Sequence, residues 1–267
     1  TLSGALAVSL VAGHITVNFI SLARYTTVII TLLFLIYFVG LLTLVKLSLS
    51  ERKALFAILL ICVASILFWA GFEQAGSSLN FFARDLTDRL VGNFEIPTAW
   101  FQSVNSLFVI VLSPFFASIW INLNKRLVMA NYGLKCAFAL IIMASGFIVM
   151  FFAALSASSG LKVAPSWLIS TYFLHTVAEL CLSPIALSAI SQLSPKRFCG
   201  QMMGVFTLTY SIGSLGAGLI AGKFDPENIQ EMPLLFLQIS IFSISAGVIV
   251  GLCGLITRHW ETVQKQN

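Results

Sequence analysis

An all-α membrane protein is the fold class this sequence predicts, on three observations. Apolar residues make up 58% of the 267 positions and charged ones 9%, with a mean hydropathy of +0.97, whereas a soluble domain carries charge on about a quarter of its residues. Charged or Gly/Pro-bearing breaks divide the apolar material into runs of about 20 to 25 residues, the length a helix needs to cross roughly 30 Å of hydrocarbon. The runs lack the two-residue alternation that a strand barrel requires.

The first run is weak and covers about 1–20. It starts at Thr1 with neither an initiator Met nor the basic n-region and small-residue cleavage site of a signal peptide. A truncated N-terminus, preceded by a larger polypeptide, is expected from that. Seven firm spans follow at about 25–46, 54–79, 99–122, 132–154, 166–192, 202–222 and 233–257. Basic residues of the short loops set their orientation. Lys46, Arg52, Lys53, Lys125, Arg126, Lys135, Lys196, Arg197, Arg258 and Lys265 collect on one side, against Arg24, Arg84, Arg89, Lys162 and Lys223 on the other. That bias places the C-terminus in the cytoplasm. Asp85, Asp88, Glu95, Asp225, Glu227 and Glu231 fall on the outer side, so the net charge of +5 reflects topology and no nucleic-acid partner is expected. Five scattered cysteines form no CxxC pair and no metal-ligand spacing, and read as small buried hydrophobes.

Two lone glutamates, Glu73 and Glu179, are expected to be the only formal charges buried in these spans. An ionisable group at membrane depth costs roughly 2.5 to 3.5 kcal/mol on insertion scales and usually faces a bundle interior, a cavity or a proton path. In the second span Trp69, Glu73 and Ser77 are spaced i, i+4, i+8, so one helical face carries an aromatic wall, a carboxylate and a hydroxyl. That face suits a cavity. The plainer alternative is a glutamate reaching from the outer end of its helix to the interface, with Ser77 and Ser78 ending the helix.

In the third span Gln102 and Asn105 share a face, where Asn105 serves a ligand backbone or another helix. Glu179 is mid-span in the fifth, with His175 one turn before and Ser183 one turn after. Such a carboxylate needs a partner, and Pro184 loosens the helix beside it by removing a backbone donor. His175 is open to two readings, a proton relay or a passive hydrogen bond. The sixth span opens Gln201-Met202-Met203-Gly204-Val205-Phe206 and continues through Gly213, Gly216, Gly218 and Gly222, small residues that let membrane helices approach closely.

Four ordered pieces, FWAGFEQAGSSLNFFA (68–83), IPTAWFQSVNSLF (96–108), AELCLSPIALSAISQLSPKRF (178–198) and QMMGVFTLTYSIGSLGAGLIAG (201–222), resemble the proton-dependent oligopeptide transporters, the POT or peptide-transporter branch of the major facilitator superfamily. The resemblance covers most of the chain as a family C-terminal half. It implies a six-helix bundle over 51–267, helices seven to twelve, preceded over 1–50 by two linker transmembrane helices, the first truncated. It also implies proton-driven uptake of di- and tripeptides by alternating access in a bacterial inner membrane, with protons as coupling ion, no cofactor, and an N-terminal six-helix half as the missing partner.

By the same resemblance Glu73 looks like the carboxylate of protonation and gating, Trp69 lines the pocket, and Asn105 touches the peptide backbone. Glu179 looks like the receiver of the peptide's amino terminus, with Ser183 beside it. Phe206 stands where relatives usually have Trp, Ser106 replaces a common proline and Ala178 a glycine. These departures leave peptide selectivity open. The family's ExxER motif, cationic carboxylate-binding residues and FYxxINxG signature belong to an N-terminal half, so the chain alone holds half a site.

Three other readings stand beside the symporter. One is a non-transporting remnant of a split or decayed gene, and another is a major facilitator transporter of a different solute. In an intramembrane enzyme His175, Glu179 and Ser183 would be the constellation, but two helical turns set Ser183 and His175 about 11 to 12 Å apart, beyond nucleophile-to-base reach.

Overall fold

The computed structural model describes residues 19–124, 131–222 and 229–264, with side chains over 21–122, 131–222 and 229–256. The run at 1–20 lies almost wholly outside the described residues, as do Lys125, Arg126, Lys223, Asp225, Glu227 and Lys265 of the charge pattern.

Within those bounds the chain is helical: α1 Phe19–Leu44, α2 Leu49–Phe72, α3 Ser78–Asp85, α4 Thr98–Asn124, α5 Tyr132–Ala157, α6 Ser166–Leu193, α7 Cys199–Ala221 and α8 Met232–Gln264. Seven segments are long and apolar enough to cross a membrane, α2 and α3 together forming one of 37 residues. The seven firm spans are therefore present, with most boundaries within a turn of expectation. Strand structure among the described residues is a two-residue pairing of β1 (Leu90–Val91) with β2 (Phe94–Glu95). Gly92 turns that hairpin at φ 62°, a backbone region open to glycine without steric penalty.

The second span departs from the expected continuous helix. α2 ends at Phe72, Glu73–Gly76 tightens into a 3-10 turn, and Ser77 at φ −122°, ψ −95° breaks the path before α3 resumes. Gln74, fully buried, fastens the break. Its amide donates to the Ala217 carbonyl of α7 at 3.3 Å, while its Oε1 accepts from Ser77 Oγ at 3.1 Å and Ser78 Oγ at 2.9 Å.

α2 and α7 run side by side through close backbone approach. A Cβ added to Gly213 would sit 2.5 Å from Trp69 Cβ and 2.9 Å from the Ile66 carbonyl, so no other residue fits at this crossing. Below it Ser65 and Thr209, both fully buried, share a hydrogen bond of 3.0 Å. Of the other glycines expected to pack, Gly216 meets Ala70 Cβ of α2 at an ordinary 3.8 Å, Gly204 and Gly218 have open space at the Cβ position among the described residues, and Gly222, just past α7, meets only its own helix.

α1 lies along α7, burying Phe34, Phe38 and Leu41 and donating from Tyr37 Oη to Gln201 Oε1 at 3.2 Å. α2 begins with a full capping box of Ser48 and Glu51. Arg197, in the turn between α6 and α7, ties that start down by bonding the Lys46 carbonyl at 3.0 Å and Glu51 Oε1 at 3.4 Å. At the opposite end Asp88 N donates to the Val163 carbonyl at 2.8 Å and Val163 N to the Leu86 carbonyl at 2.9 Å, joining the α3–β1 and α5–α6 loops.

The expected charge burial also changes. Glu73, at the start of the 3-10 turn, is exposed. Lys135, counted among loop charges, is 4% exposed in the first turn of α5. Its ammonium lies 5.0 Å from the Trp120 ring centre and 5.9 Å from that of Tyr132, an arrangement in which aromatic faces substitute for part of the lost hydration.

Candidate functional site

The site residues converge on one face of the bundle, built by α2, α4, α6 and α7. Glu179 projects from the middle of α6 and is half-buried. Its neighbour from α4 is Asn105, whose Nδ2 donates to Glu179 Oε2 at 3.4 Å. The amide is oriented from behind by Thr176, one α6 turn before Glu179. The Thr176 hydroxyl is shared between Asn105 Oδ1 at 2.5 Å and the Tyr172 carbonyl at 2.7 Å. With its oxygen occupied, Asn105 has only its NH₂ to offer the carboxylate. Gln102, on the same face in sequence, is exposed and outside this network.

The Glu73 carboxylate lies close enough to Glu179 to act on it electrostatically. The fold thus brings the two acids within electrostatic reach of each other, although they are 106 residues apart in the chain. Opposite them Trp69, 7% exposed, packs against Tyr210 of α7 with ring centres 4.4 Å apart and against Phe72 at 5.2 Å. Phe206, 1% exposed, backs this wall edge-on to Tyr210 at 5.7 Å. Tyr210 also stands beside Ser183 and Glu179. The Ser183 hydroxyl closes no well-formed hydrogen bond there, and Trp69 Nε1 has no partner among the described residues.

His175 sits elsewhere. It is 1% exposed, flat against Gly146, where an added Cβ would come within 2.6 Å of the ring. Phe147 at 4.7 Å and Phe72 at 6.4 Å flank it, and the imidazole bonds the Met143 carbonyl. Ser77, expected to share the face of Trp69 and Glu73, instead bonds Gln74 at the break. The face of three residues separated by full turns depends on an unbroken helix, and α2 stops at Phe72.

Four members escaped sequence reading: Thr176, Tyr210, Gln74 and Trp120. The signal for Tyr210 was its i+4 spacing from Phe206. The signal for Trp120 was Pro184, which leaves the carbonyl four residues earlier without its helical donor. That carbonyl belongs to Leu180, and Trp120 Nε1 supplies the missing donor from α4 at 3.3 Å. Two α4 side chains, Asn105 and Trp120, thereby hold α6 at successive residues, Glu179 and Leu180.

Taken as chemistry, the face brings together two carboxylates, one amide that contacts a carboxylate, a phenol, and a buried indole N–H and serine hydroxyl without partners among the described residues. It is equipped to hold a cation and to exchange protons, and its donors suit a polar ligand.

Comparisons with known proteins fit this face to a family. A model of the POT family matches residues 19–235. The peptide transporter YePEPT of Yersinia enterocolitica is 38% identical over 95% of this chain and 50% of its own length. Dipeptide and tripeptide permease A of Chromobacterium violaceum is 30% identical over 78% of this chain and 42% of its own. A crystal structure of a POT peptide transporter in complex with sulfate superimposes with a TM-score of 0.82 at 32% identity, covering 97% of this chain and 51% of that one. The chain spans about half the length of the relatives it matches.

Proposed function

The chain belongs to the POT family of multi-pass membrane transporters, and from that premise we propose that it forms the C-terminal half of a proton-coupled di- and tripeptide symporter. In this reading residues 1–50 supply linker helices and 51–267 the six-helix bundle, and an N-terminal six-helix half closes over the site. The membrane is the bacterial inner membrane, with the C-terminus in the cytoplasm as the loop charges indicate.

One observation carries the proposal: Glu179, half-buried on α6, accepts from Asn105 and shares its space with Glu73. A peptide ammonium is the cation that suits Glu179, and the Asn105 amide suits the adjacent peptide group. Trp69, Tyr210 and Phe206 give an apolar wall for a side chain, and Ser183 adds a hydroxyl.

Proton coupling follows from charge counting at closure. When a second half covers the site, two carboxylates leave the reach of water, and unpaired buried charge is strongly penalised. A peptide ammonium on Glu179 together with a proton on Glu73 brings the side-chain and ammonium charges to zero, whereas either alone leaves one negative charge. The loaded state is thus the one whose closure costs least. The peptide carboxylate finds its cation in the other half. His175, enclosed by rings, holds α5 and α6 together and takes no part in the proton path.

The test is uptake of a labelled dipeptide, driven by a pH gradient, into vesicles holding this chain with a POT-type N-terminal half, beside a Glu179→Ala version and the chain alone. Uptake that needs both the partner half and Glu179 supports the symporter. A correctly inserted pair that takes up no peptide sinks it and favours a decayed remnant or another solute.

A further inference from the structure

Three large rings form the aromatic corner beside Glu179, and they are not equally accessible. Trp69 is 7% and Phe206 1% exposed, so neither offers a ligand much surface, whereas Tyr210 is half-buried. Tyr210 packs over Trp69 with ring centres 4.4 Å apart and planes 35° from parallel. It meets Phe206, one α7 turn earlier, edge-on at 5.7 Å. The phenol stands next to Ser183 and Glu179 of α6, so Tyr210 is the ring nearest the carboxylate, with the other two packed against it.

The backbone around Tyr210 has little freedom to yield. Thr209, the residue before it, shares a 3.0 Å hydrogen bond with Ser65 of α2, and three residues after it a Cβ on Gly213 would lie 2.5 Å from Trp69 Cβ. α2 and α7 are thus held together on both sides of the ring pair, and space beside Trp69 opens only when the Tyr210 side chain rotates. Two buried polar atoms of this corner, Trp69 Nε1 and Ser183 Oγ, make no well-formed hydrogen bond among the described residues. Buried polar groups of a purely structural contact are nearly always paired, so the corner is one that a ligand completes.

We propose that Tyr210 is a specificity-determining residue of the peptide site, closing the subsite for the side chain of the peptide's first residue to all but small groups. The assignment rests on the symporter reading, in which Glu179 takes the peptide ammonium. The first side chain leaves the same carbon that bears the ammonium, so it lies nearest the groups beside Glu179, and Tyr210 stands there. A ring already packed on Trp69 leaves no room for a second one, because interiors are close-packed and overfilling them forces side chains and backbone to shift. The second side chain starts about 3.8 Å further along the peptide and escapes this limit.

The experiment compares uptake of Ala-Phe and Phe-Ala, two dipeptides of one composition, into vesicles holding this chain with a POT-type N-terminal half. The ratio of kcat/KM is expected to favour Ala-Phe at least about tenfold, since even one methylene in an apolar pocket discriminates by about that much. Tyr210→Ser should narrow the ratio to less than about threefold, whereas Tyr210→Phe, which keeps the ring, should retain it. Should Tyr210→Ser give no inserted protein, Tyr210→Leu, which keeps an apolar contact with Trp69 but is smaller than the ring, takes its place with a several-fold narrowing expected. Phe-Ala taken up as well as Ala-Phe by the wild-type pair overturns the subsite, and a preference that the Ser and Leu substitutions leave unchanged overturns Tyr210 as its cause. Uptake of neither dipeptide by a correctly inserted pair overturns the symporter reading, and the subsite with it.

Discussion

Along the seam between α5 and α8 two backbones nearly touch, whereas α4 meets α6 through a few side-chain hydrogen bonds and one ring contact. A Cβ placed on Gly133 would lie 2.7 Å from Gly254 Cα, and one on Gly247 3.2 Å from the Ala137 carbonyl. Buried polar groups complete the seam: Asn131 donates to the Gly254 carbonyl and Ser240 to the Ala144 carbonyl at 3.2 Å. Small residues and interhelical hydrogen bonds are how helices associate when lipid is as apolar as the protein. In α4, by contrast, Phe101 is the one buried side chain among those described. Its hydrogen bonds to α6 are Asn105 to Glu179, Thr176 to Asn105 and Trp120 to Leu180, beside an edge-on contact of Phe108 with Phe173 at 5.5 Å. The difference separates two tasks. The α5–α8 seam depends on shape and tolerates no added atom, so it serves as scaffold. The α4–α6 contact depends on directional bonds around a carboxylate, so it can be altered without dismantling the bundle.

Substitutions on the two sides should break differently. Gly133→Leu drives a side chain into the α8 backbone, and should lower stability by about 3 kcal/mol or more, read as loss of monodisperse protein and a lower Tm. Glu179→Gln keeps the volume and removes the charge that pairs with a peptide ammonium. With its partner half present, uptake should fall at least about a hundredfold while Tm stays unchanged. A matching drop in Tm would mean that α4–α6 is scaffold after all. Trp120→Phe removes the donor from the Leu180 carbonyl beside Pro184, which should lower stability by about 1 kcal/mol and uptake a few-fold. Thr176→Val releases the Asn105 amide from its fixed orientation. It should cost about 0.6 kcal/mol in thermal unfolding and raise the KM for dipeptide less than threefold, the smallest effect of the series.

Membrane class, span number and most span boundaries were legible in the sequence because hydropathy is a property of each segment by itself. The four motif pieces also named the family before any geometry. The candidate residues were legible one by one, and Glu179, Asn105, Glu73, Trp69 and Phe206 do gather on one face. Their relations were not. Ser77 left that face because Gln74, which reads in sequence as one more polar residue, bonds across to α7 and stabilises a break. His175 left it because Gly146 opens a slot for the ring on α5. The glycines of α7 looked equivalent in spacing, yet only Gly213 meets another backbone within contact that excludes a side chain.

What the sequence determined by itself is thus the solvent this chain folds in and the segments that cross it, since a long apolar run has no other stable place to go. Tertiary structure decided which charges are buried and which polar groups pair. Lys135 reads as a loop charge until Trp120 and Tyr132 close over it, and Asn105 reads as an ambiguous amide until Glu179, 74 residues away, arrives beside it. Burial and pairing of a polar group are set by neighbours that are distant in the chain, so its own segment cannot state them.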